Sequence, residues 1–546
     1  MKRLSSFTSS ALSVLTIAAF LSLGFVLTKN MGTTNEIHHL PLARQAFDPS
    51  WVPGDIYYSE DPGYRWLFQR LFGPMTASLG FLATSLVGRL VGYSCLATGL
   101  WCLGRQLGLG LWGMLLALCL FIYPNTNAAQ GAIAQEWLIG GIEPKVFAYS
   151  LMFMALSFAL SKRYLWMVVC LGLSASFHVL VGGWSTIAMG LWLLIRRQTV
   201  FANARQWGTA VLLYGIASVF ALRAVLKQLM TPVSGDDAMG QVRSIPTGEF
   251  SPSYLYTFLR NPHHVNPLSW APFEWLVASL YLIVFLGIVV WLRRQARVDE
   301  GATLGQNRLA FAGFVGACLM LFAVGVCVAP FDLQGKFLQY YPFRVGDLML
   351  PLGTCLLVAT MLETLLHRRW FVIGSVVVLG LAISFEVSDF QQSAVELVNF
   401  PGEAQQVKPD WKDMCGWIKA NTPRDSLIVS QPDDLDSLYW LAERPTVAKF
   451  RFVPSASSAE VAAWYERIVD LGGGLDLLAD VDRHKDPKKA VRRALNQGYF
   501  GLETVDAIAL LEKYQADYFL TQTAHQLDLP IVYRNASHIL YGKQED

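Results

Sequence analysis

About eleven apolar runs of roughly 16 to 24 residues punctuate this chain, each near the length that a bilayer's hydrocarbon core demands of a helix. They fall near 11–28, 79–103, 108–123, 146–161, 164–178, 180–196, 207–226, 271–293, 307–328, 341–365 and 370–387. Only 15% of the 546 residues are charged and 53% are hydrophobic, whereas an ordinary globular domain carries about a quarter charged residues. The reading is a multi-pass α-helical membrane protein. The first run lacks a small-x-small cleavage site and reads as a retained span, not a removed signal peptide. Seven of the eight cysteines lie in apolar runs, which argues against a disulfide framework or a zinc site. A formal net charge of +2 carries no signature of a nucleic-acid partner.

Basic residues orient the spans. Lys2 and Arg3, Arg105, Lys162 and Arg163, Arg196, Arg197 and Arg205, Arg293, Arg294, Arg297 and Arg308, then Arg368 and Arg369 all fall in alternate connections. The positive-inside rule assigns these to the cytoplasm. The connections 29–78, 124–145, 227–270 and 329–340, and everything after about 388, then face outward with an extracytoplasmic C-terminus. The expected division is a first span at 1–28, an outer loop at 29–78, a polytopic domain at 79–388 and an outer soluble domain at 389–546.

The outer connections hold the chemistry-bearing residues. The stretch NEIHHLPLARQAFDPSWVPGDIYY, 35–58, sets Glu36, His38, His39, Asp48 and Asp55 among prolines and aromatics. A carboxylate just beyond the first span, such as Glu36, suits a general base or a ligand for a divalent cation beside a phosphate leaving group; a solvated loop acid is the bland alternative. Asp55 in PGDIYY either presents its carboxylate from a turn or caps a helix that starts after it. The His pair, His38 and His39, reads first as interfacial packing. Next in the chain, YRWLFQRLFGPMTASL, 64–79, has the aromatics and arginines of a helix lying in the interface.

Four further groups recur at the same membrane level. QEWLIGGIEPKVFAY offers Glu136, Glu143 and Lys145, with Pro144 starting a helix whose N-terminus beside a lysine suits phosphate; the alternative is a capping acid and a snorkelling lysine. RNPHHVNPLSW concentrates Arg260, His263 and His264 between prolines and suits clamping an anion. His178 in ASFHVLVGGW lies where two short spans meet, and Gly182 and Gly183 permit close helix approach. YYPFRVGDLML places Arg344 and Asp347 one helical turn apart, either paired with each other or with Arg344 on a lipid phosphate.

From about residue 401 the pattern becomes that of a soluble α/β domain. Helices are expected at 411–420, 435–441, 459–471 and 505–514, and strands at 426–430, 518–521 and within 531–541. The basic run HKDPKKAVRRAL reads as a solvated helix face.

An acid soon after span one (Glu36, then Asp55), a second acidic motif between spans three and four (Glu143 in GGIEPK), short mid-chain helices and an outward C-terminal domain together resemble the GT-C class of glycosyltransferases. The resemblance covers most of the chain and is architectural. It differs in detail: NEIHH stands where the class carries paired acids, Glu-Pro-Lys replaces a di-acidic motif, and no WWDYG-like sequence occurs. The resemblance implies a transferase of the bacterial plasma membrane that moves sugar from a polyprenyl-phosphate donor to a sugar, lipid or protein acceptor at the outer face, by inversion. It implies Glu36 as base with Asp55 in support; Glu143, Lys145, His178, Arg260, His263, His264 and Arg344 around the carrier phosphate; and Glu36, Glu143 and His263 as ligands should a divalent metal ion take part. The rival is a transporter or flippase with Arg89, Glu274 and Glu363 lining a path, or a non-catalytic envelope assembly protein.

Overall fold

The computed structural model describes residues 2–26, 35–58, 63–122, 129–197, 200–230, 251–298, 303–398, 409–433, 437–454, 458–478 and 482–543. Helices form at every apolar run. In chain order they are α1 (Lys2–Val26), α2 (Glu36–Phe47), α3 (Trp66–Gln106), α4 (Leu111–Ile122), α5 (Pro144–Leu160), α6 (Tyr164–Phe177), α7 (Val179–Ile195), α8 (Ala204–Ala217), α9 (Val219–Met230), α10 (Pro272–Val298), α11 (Thr303–Val328), α12 (Arg344–Leu365) and α13 (Arg368–Val398). Only α2 lies outside the apolar runs: the stretch expected as a loop is a helix, with Ile37, Leu40, Leu42 and Ala43 buried and Pro41 inside it.

The chain is a multi-pass helical membrane protein whose helices differ widely in length. Among the described residues, four (α3, α10, α11 and α12) are long and apolar enough to cross a bilayer alone. The α8–α9 pair, bent by 72°, makes a fifth as one broken span. The apolar parts of α1, α4, α5, α6 and α7 are shorter, at 10–17 residues. At 1.5 Å per residue, a twelve-residue helix such as α4 rises about 18 Å, short of a core of about 30 Å. Of these, α4 and α5 are packed by neighbours: Met114, Leu118 and Phe121 of α4 and Met152, Phe153 and Leu156 of α5 lie in one large core.

Two glycines fix the geometry near the site. At Gly80 (φ 78°, ψ 170°) the long α3 breaks, a conformation that a β-carbon disfavours. The piece before the break, Trp66 to Leu79, is the segment the sequence marks as interfacial. At Gly182 a β-carbon would stand 2.1 Å from the Ala175 backbone nitrogen, so α6 and α7 touch main chain to main chain there. Gly183 faces open space and has no such role.

The C-terminal domain follows as α14 (Pro409–Asn421), β1 (Ile428–Ser430), one turn at Leu438–Leu441, α15 (Ser458–Leu471), α16 (Lys488–Phe500), α17 (Thr504–Lys513), β2 (Tyr518–Gln522), β3 (Ile531–Arg534) and β4 (His538–Gly542). The sheet order is β1-β2-β4-β3, with β1 parallel to β2 and the other pairs antiparallel. Parallel pairing needs a long crossover, and α15 to α17 supply it. The expected strand within 531–541 is a hairpin of two strands, and 435–436 of the expected helix at 435–441 lie outside the described residues. Basic residues of the run at 484–495 pair with surface acids, Lys485 with Asp482 and Arg492 with Asp433.

This domain is not tethered loosely. Tyr254, Phe258, Val265, Trp270 and Phe343 from the bundle's connections share one core with Phe450, Trp464, Tyr499 and Phe519. Arg483 donates to the Ala329 carbonyl at 3.0 Å, and Asn266 donates to the Arg483 carbonyl at 2.7 Å. The connections before α3, α5, α10 and α12 therefore gather with the domain at one end of the bundle.

Candidate functional site

Glu36 begins α2 and is completely buried. Its Oε1 accepts from Arg89 Nε at 2.8 Å and from the Ile142 backbone N–H at 2.6 Å, and its Oε2 accepts from Ser85 Oγ at 2.9 Å and from Arg89 Nη2. Four directed donors fill the in-plane lone pairs of a carboxylate. The carboxylate expected to act as general base thus has both oxygens engaged by these donors. Glu36 ties α2 to α3 and to the start of α5.

Asp55 is also completely buried and also committed. Its Oδ1 takes the N–H groups of Tyr57 (2.9 Å) and Tyr58 (3.2 Å), and its Oδ2 takes the N–H of Thr446 at 3.2 Å in the C-terminal domain. Burial raises its pKa while these donors oppose the rise. Asp55 thus caps its own turn and holds the C-terminal domain.

The second connection is built by two buried polar residues. Gln130 accepts from the N–H groups of Leu138 and Ile139 (2.8 and 3.0 Å) and donates to the Ile139 carbonyl (3.0 Å). Asp347, one turn into α12, takes the N–H groups of Ile133 (2.7 Å), Ala134 (2.9 Å) and Glu136 (3.0 Å). Asp347 therefore does not pair with Arg344. Gln135 completes the turn in the left-handed region (φ 56°), so that Glu136 faces inward.

Acids and cations from separate connections meet there. Lys145 Nζ lies 3.2 Å from Glu143 Oε2 and 3.8 Å from Glu136 Oε1. Arg344 Nε lies 3.1 Å from Glu136 Oε2, yet its N–H is not aimed at that oxygen and is buried without a directed acceptor. The contact is Coulombic. Arg344 Nη1 is 3.1 Å from His178 Nε2, and its guanidinium lies 4.3 Å from the centre of the Tyr341 ring. Glu143 accepts from Asn35 Nδ2 at 3.1 Å, and His39 Nε2 stands 3.8 Å from its other oxygen. The field of Arg65, half-buried at the start of α3, reaches His38, His39 and His178. Lys145 and Arg344 thus face Glu136 and Glu143, with Asp347 held at the Glu136 backbone and Arg65 in electrostatic reach.

Burial lowers the imidazoles of His38, His39, His263 and His264. Burial lowers His39 well below the ordinary imidazole range, and His38, Arg65 and Lys145 push the same way. His38 is lowered by burial and by Arg65, Arg451, Arg260 and Lys145. His264 drops to about 3, mainly through burial, and its Nδ1 lies 2.8 Å from the Ala134 carbonyl. Burial lowers His263 too, and its Nδ1 is buried without a hydrogen bond.

Lys145, His178 and Arg344 thus come together as expected, with Glu143 beside them. Arg260 does not join them: its Nε and Nη2 donate to the carbonyls of Phe450 (2.9 Å) and Arg451 (2.8 Å), anchoring the C-terminal domain. Among the described residues, no three His, Cys, Asp or Glu side chains converge as a metal-binding group, and Glu36, Glu143 and His263 in particular do not. Sequence reasoning missed Arg65, whose only local signal was its place in an aromatic-rich segment. It also undervalued Glu136, which nothing local distinguishes from a solvated acid. The rival path residues are scattered: Arg89 holds Glu36, Glu274 caps its own helix through the Ala271 N–H at 2.9 Å, and Glu363 packs against Gly110 and Gly113.

Residues 409–471 match a family described as a domain of unknown function, DUF6798. No curated protein matches the chain. Among solved structures, ArnT from Cupriavidus metallidurans bound to undecaprenyl phosphate is similar at 13% identity and TM-score 0.49, covering 98% of each chain. The apo oligosaccharyltransferase from Archaeoglobus fulgidus is similar at 12% identity and TM-score 0.45, covering 94% of this chain and 69% of that one.

Proposed function

We propose that this chain is a membrane glycosyltransferase that moves a sugar from a polyprenyl-phosphate carrier to an acceptor hydroxyl at the extracytoplasmic face. One observation carries the reading: a cluster in which the buried cations Lys145 and Arg344 meet Glu136 and Glu143, with the half-buried Arg65 in electrostatic reach, at the end of an apolar bundle where the connections and the soluble domain converge. Ionisable groups gathered at such depth are costly and mark a functional site. The neighbouring cations Lys145 and Arg344 suit a phosphate whose lipid tail runs along the helices. In this reading the N-terminus is cytoplasmic, and 29–78 and 389–546 lie outside the cytoplasm of a bacterial plasma membrane.

The acceptor oxygen would bond to the sugar's anomeric carbon as the bond from that carbon to the phosphate oxygen breaks, with inversion. The hydroxyl proton passes to a carboxylate, and the departing phosphate keeps the electron pair beside Lys145 and Arg344. Glu143 is the better base than Glu36. It takes one directed hydrogen bond, from Asn35, and faces Lys145 and His39 with its other oxygen, and its side chain retains 5% exposure where that of Glu36 has none.

The test follows transfer from radiolabelled polyprenyl-phosphate sugars in membranes that hold wild type or a variant at equal abundance. Glu143→Gln is expected to lose about 10²- to 10⁴-fold in rate, the usual worth of general-base help, with binding of the lipid retained. Lys145→Met is expected to lose binding. Full transfer by both variants would defeat the reading.

A further inference from the structure

Glu36 and Glu136 are both buried carboxylates paired with arginine, and they are held in opposite ways. The bonds that Glu36 receives from Ser85, Arg89 Nε and Ile142 run from 2.6 to 2.9 Å and are directed. The side-chain contacts of Glu136 are an undirected 3.1 Å approach to Arg344, 3.8 Å to Lys145 and 3.4 Å to the Tyr149 hydroxyl. Its main chain is nonetheless fixed, because Asp347 grips its N–H at 3.0 Å and the Gly131 N–H donates to its carbonyl at 2.8 Å. A β-carbon on Gly131 would lie 1.8 Å from Asp347 Oδ2, so the grip leaves no slack. The side chain can therefore turn away while the loop stays put.

We propose that Glu136 is an internal counter-ion that occupies the contact between Lys145 and Arg344 and is displaced by a phosphate group of the ligand. The proposal rests on the reading of this cluster as an anion site and adds to it a built-in competitor. A carboxylate at 3.8 Å offsets much of a lysine's charge without forming a hydrogen bond to it. The exchange keeps the cations compensated in both states, which avoids the cost of burying them bare. It also discriminates: a neutral or weakly acidic headgroup cannot displace a carboxylate, whereas a phosphate, with more charge and more acceptor oxygens, can.

The experiment measures binding of decaprenyl phosphate, and separately of inorganic phosphate, to the full-length protein in nanodiscs. Glu136→Gln keeps the side chain's size and removes its charge. It should tighten binding of the phosphate probe by about tenfold or more, on the scale of one charge contact at a partly wet site, and Glu136→Asp should tighten it less. Tightening for decaprenyl phosphate alone assigns the site to a lipid headgroup; tightening for both probes assigns it to phosphate as such. Lys145→Met reports on the underlying site. If Lys145→Met weakens binding but both Glu136 variants leave it unchanged or weaker, the counter-ion idea is overturned and the anion site stands. If Lys145→Met changes nothing, the site reading itself fails. Should Glu136→Gln not fold, Glu136→Asp alone decides, since a purely structural carboxylate would lose affinity when shortened.

Discussion

Glu36 and Arg89 form a two-pronged ion pair with almost no exposure, 0% and 3% for the two side chains, which joins a short amphipathic helix to the first long span beyond its break. Removing one partner of such a pair strands the other as a buried charge, at a cost of about 3 to 5 kcal/mol. Glu36→Gln and Arg89→Met should each lower the thermal midpoint of the detergent-solubilised protein markedly. The double variant should lose less than the sum of the two. Additive losses in this cycle would show that the two groups act independently.

Asp55 gives docking of the C-terminal domain a pH dependence. Its folded pKa is raised by burial, so the folded state binds its proton more tightly than the unfolded chain does. Its contribution is greatest at acid pH, below the unfolded value, and declines as pH rises through the raised one. Protease protection of the domain, followed from pH 4 to 8, should carry this declining component in wild type and lack it in Asp55→Asn. Identical profiles would remove Asp55 from the docking interaction.

The histidines act in the opposite sense. His38, His39, His263 and His264 are all lowered, His264 to about 3. Each binds a proton on unfolding below the ordinary value of about 6.5, so stability is present above that value and is lost as pH falls toward the folded pKa. The thermal midpoint should drop steadily from pH 6.5 to pH 4, and His264→Asn should make the drop shallower. A flat wild-type profile in that window would contradict neutral burial.

Gly182 and Gly183 should respond oppositely to alanine. At 182 the new methyl group meets the backbone of Ala175 at 2.1 and 2.2 Å, which the helices can relieve only by separating. A loss of about 1 to 3 kcal/mol is expected from overpacking. At 183 nothing lies within 4 Å, and alanine should be neutral or stabilising by up to about 1 kcal/mol through helix propensity. Thermal unfolding of the two variants side by side distinguishes them.

The legible part of the sequence is the part whose physics is local. The bilayer requires long apolar runs, so all eleven runs emerge as helices, and the end of the interfacial segment at Leu79 is marked by the glycine beside it. The period of the soluble domain is equally local. Partner choice is not: Glu36 looks like a loop acid until Arg89, 53 residues on, is brought to it, and nothing around Arg260 announces that it holds the carbonyls of Phe450 and Arg451. Asp347 shows the same gap. At i+3 from Arg344 it reads as that arginine's partner, but three N–H groups more than 200 residues upstream claim its carboxylate.

The bond from the Thr446 amide to Asp55 also imposes an order in time. The two residues are 391 positions apart. At a synthesis rate of about 5 to 20 residues per second, the acceptor leaves the ribosome some 20 to 80 s before its donor exists. Throughout that interval Asp55 Oδ2 lacks this donor, while the turn held by Oδ1 needs only Tyr57 and Tyr58. A nascent chain halted before residue 446 therefore carries all eleven apolar runs without the contact that joins this turn to the C-terminal domain.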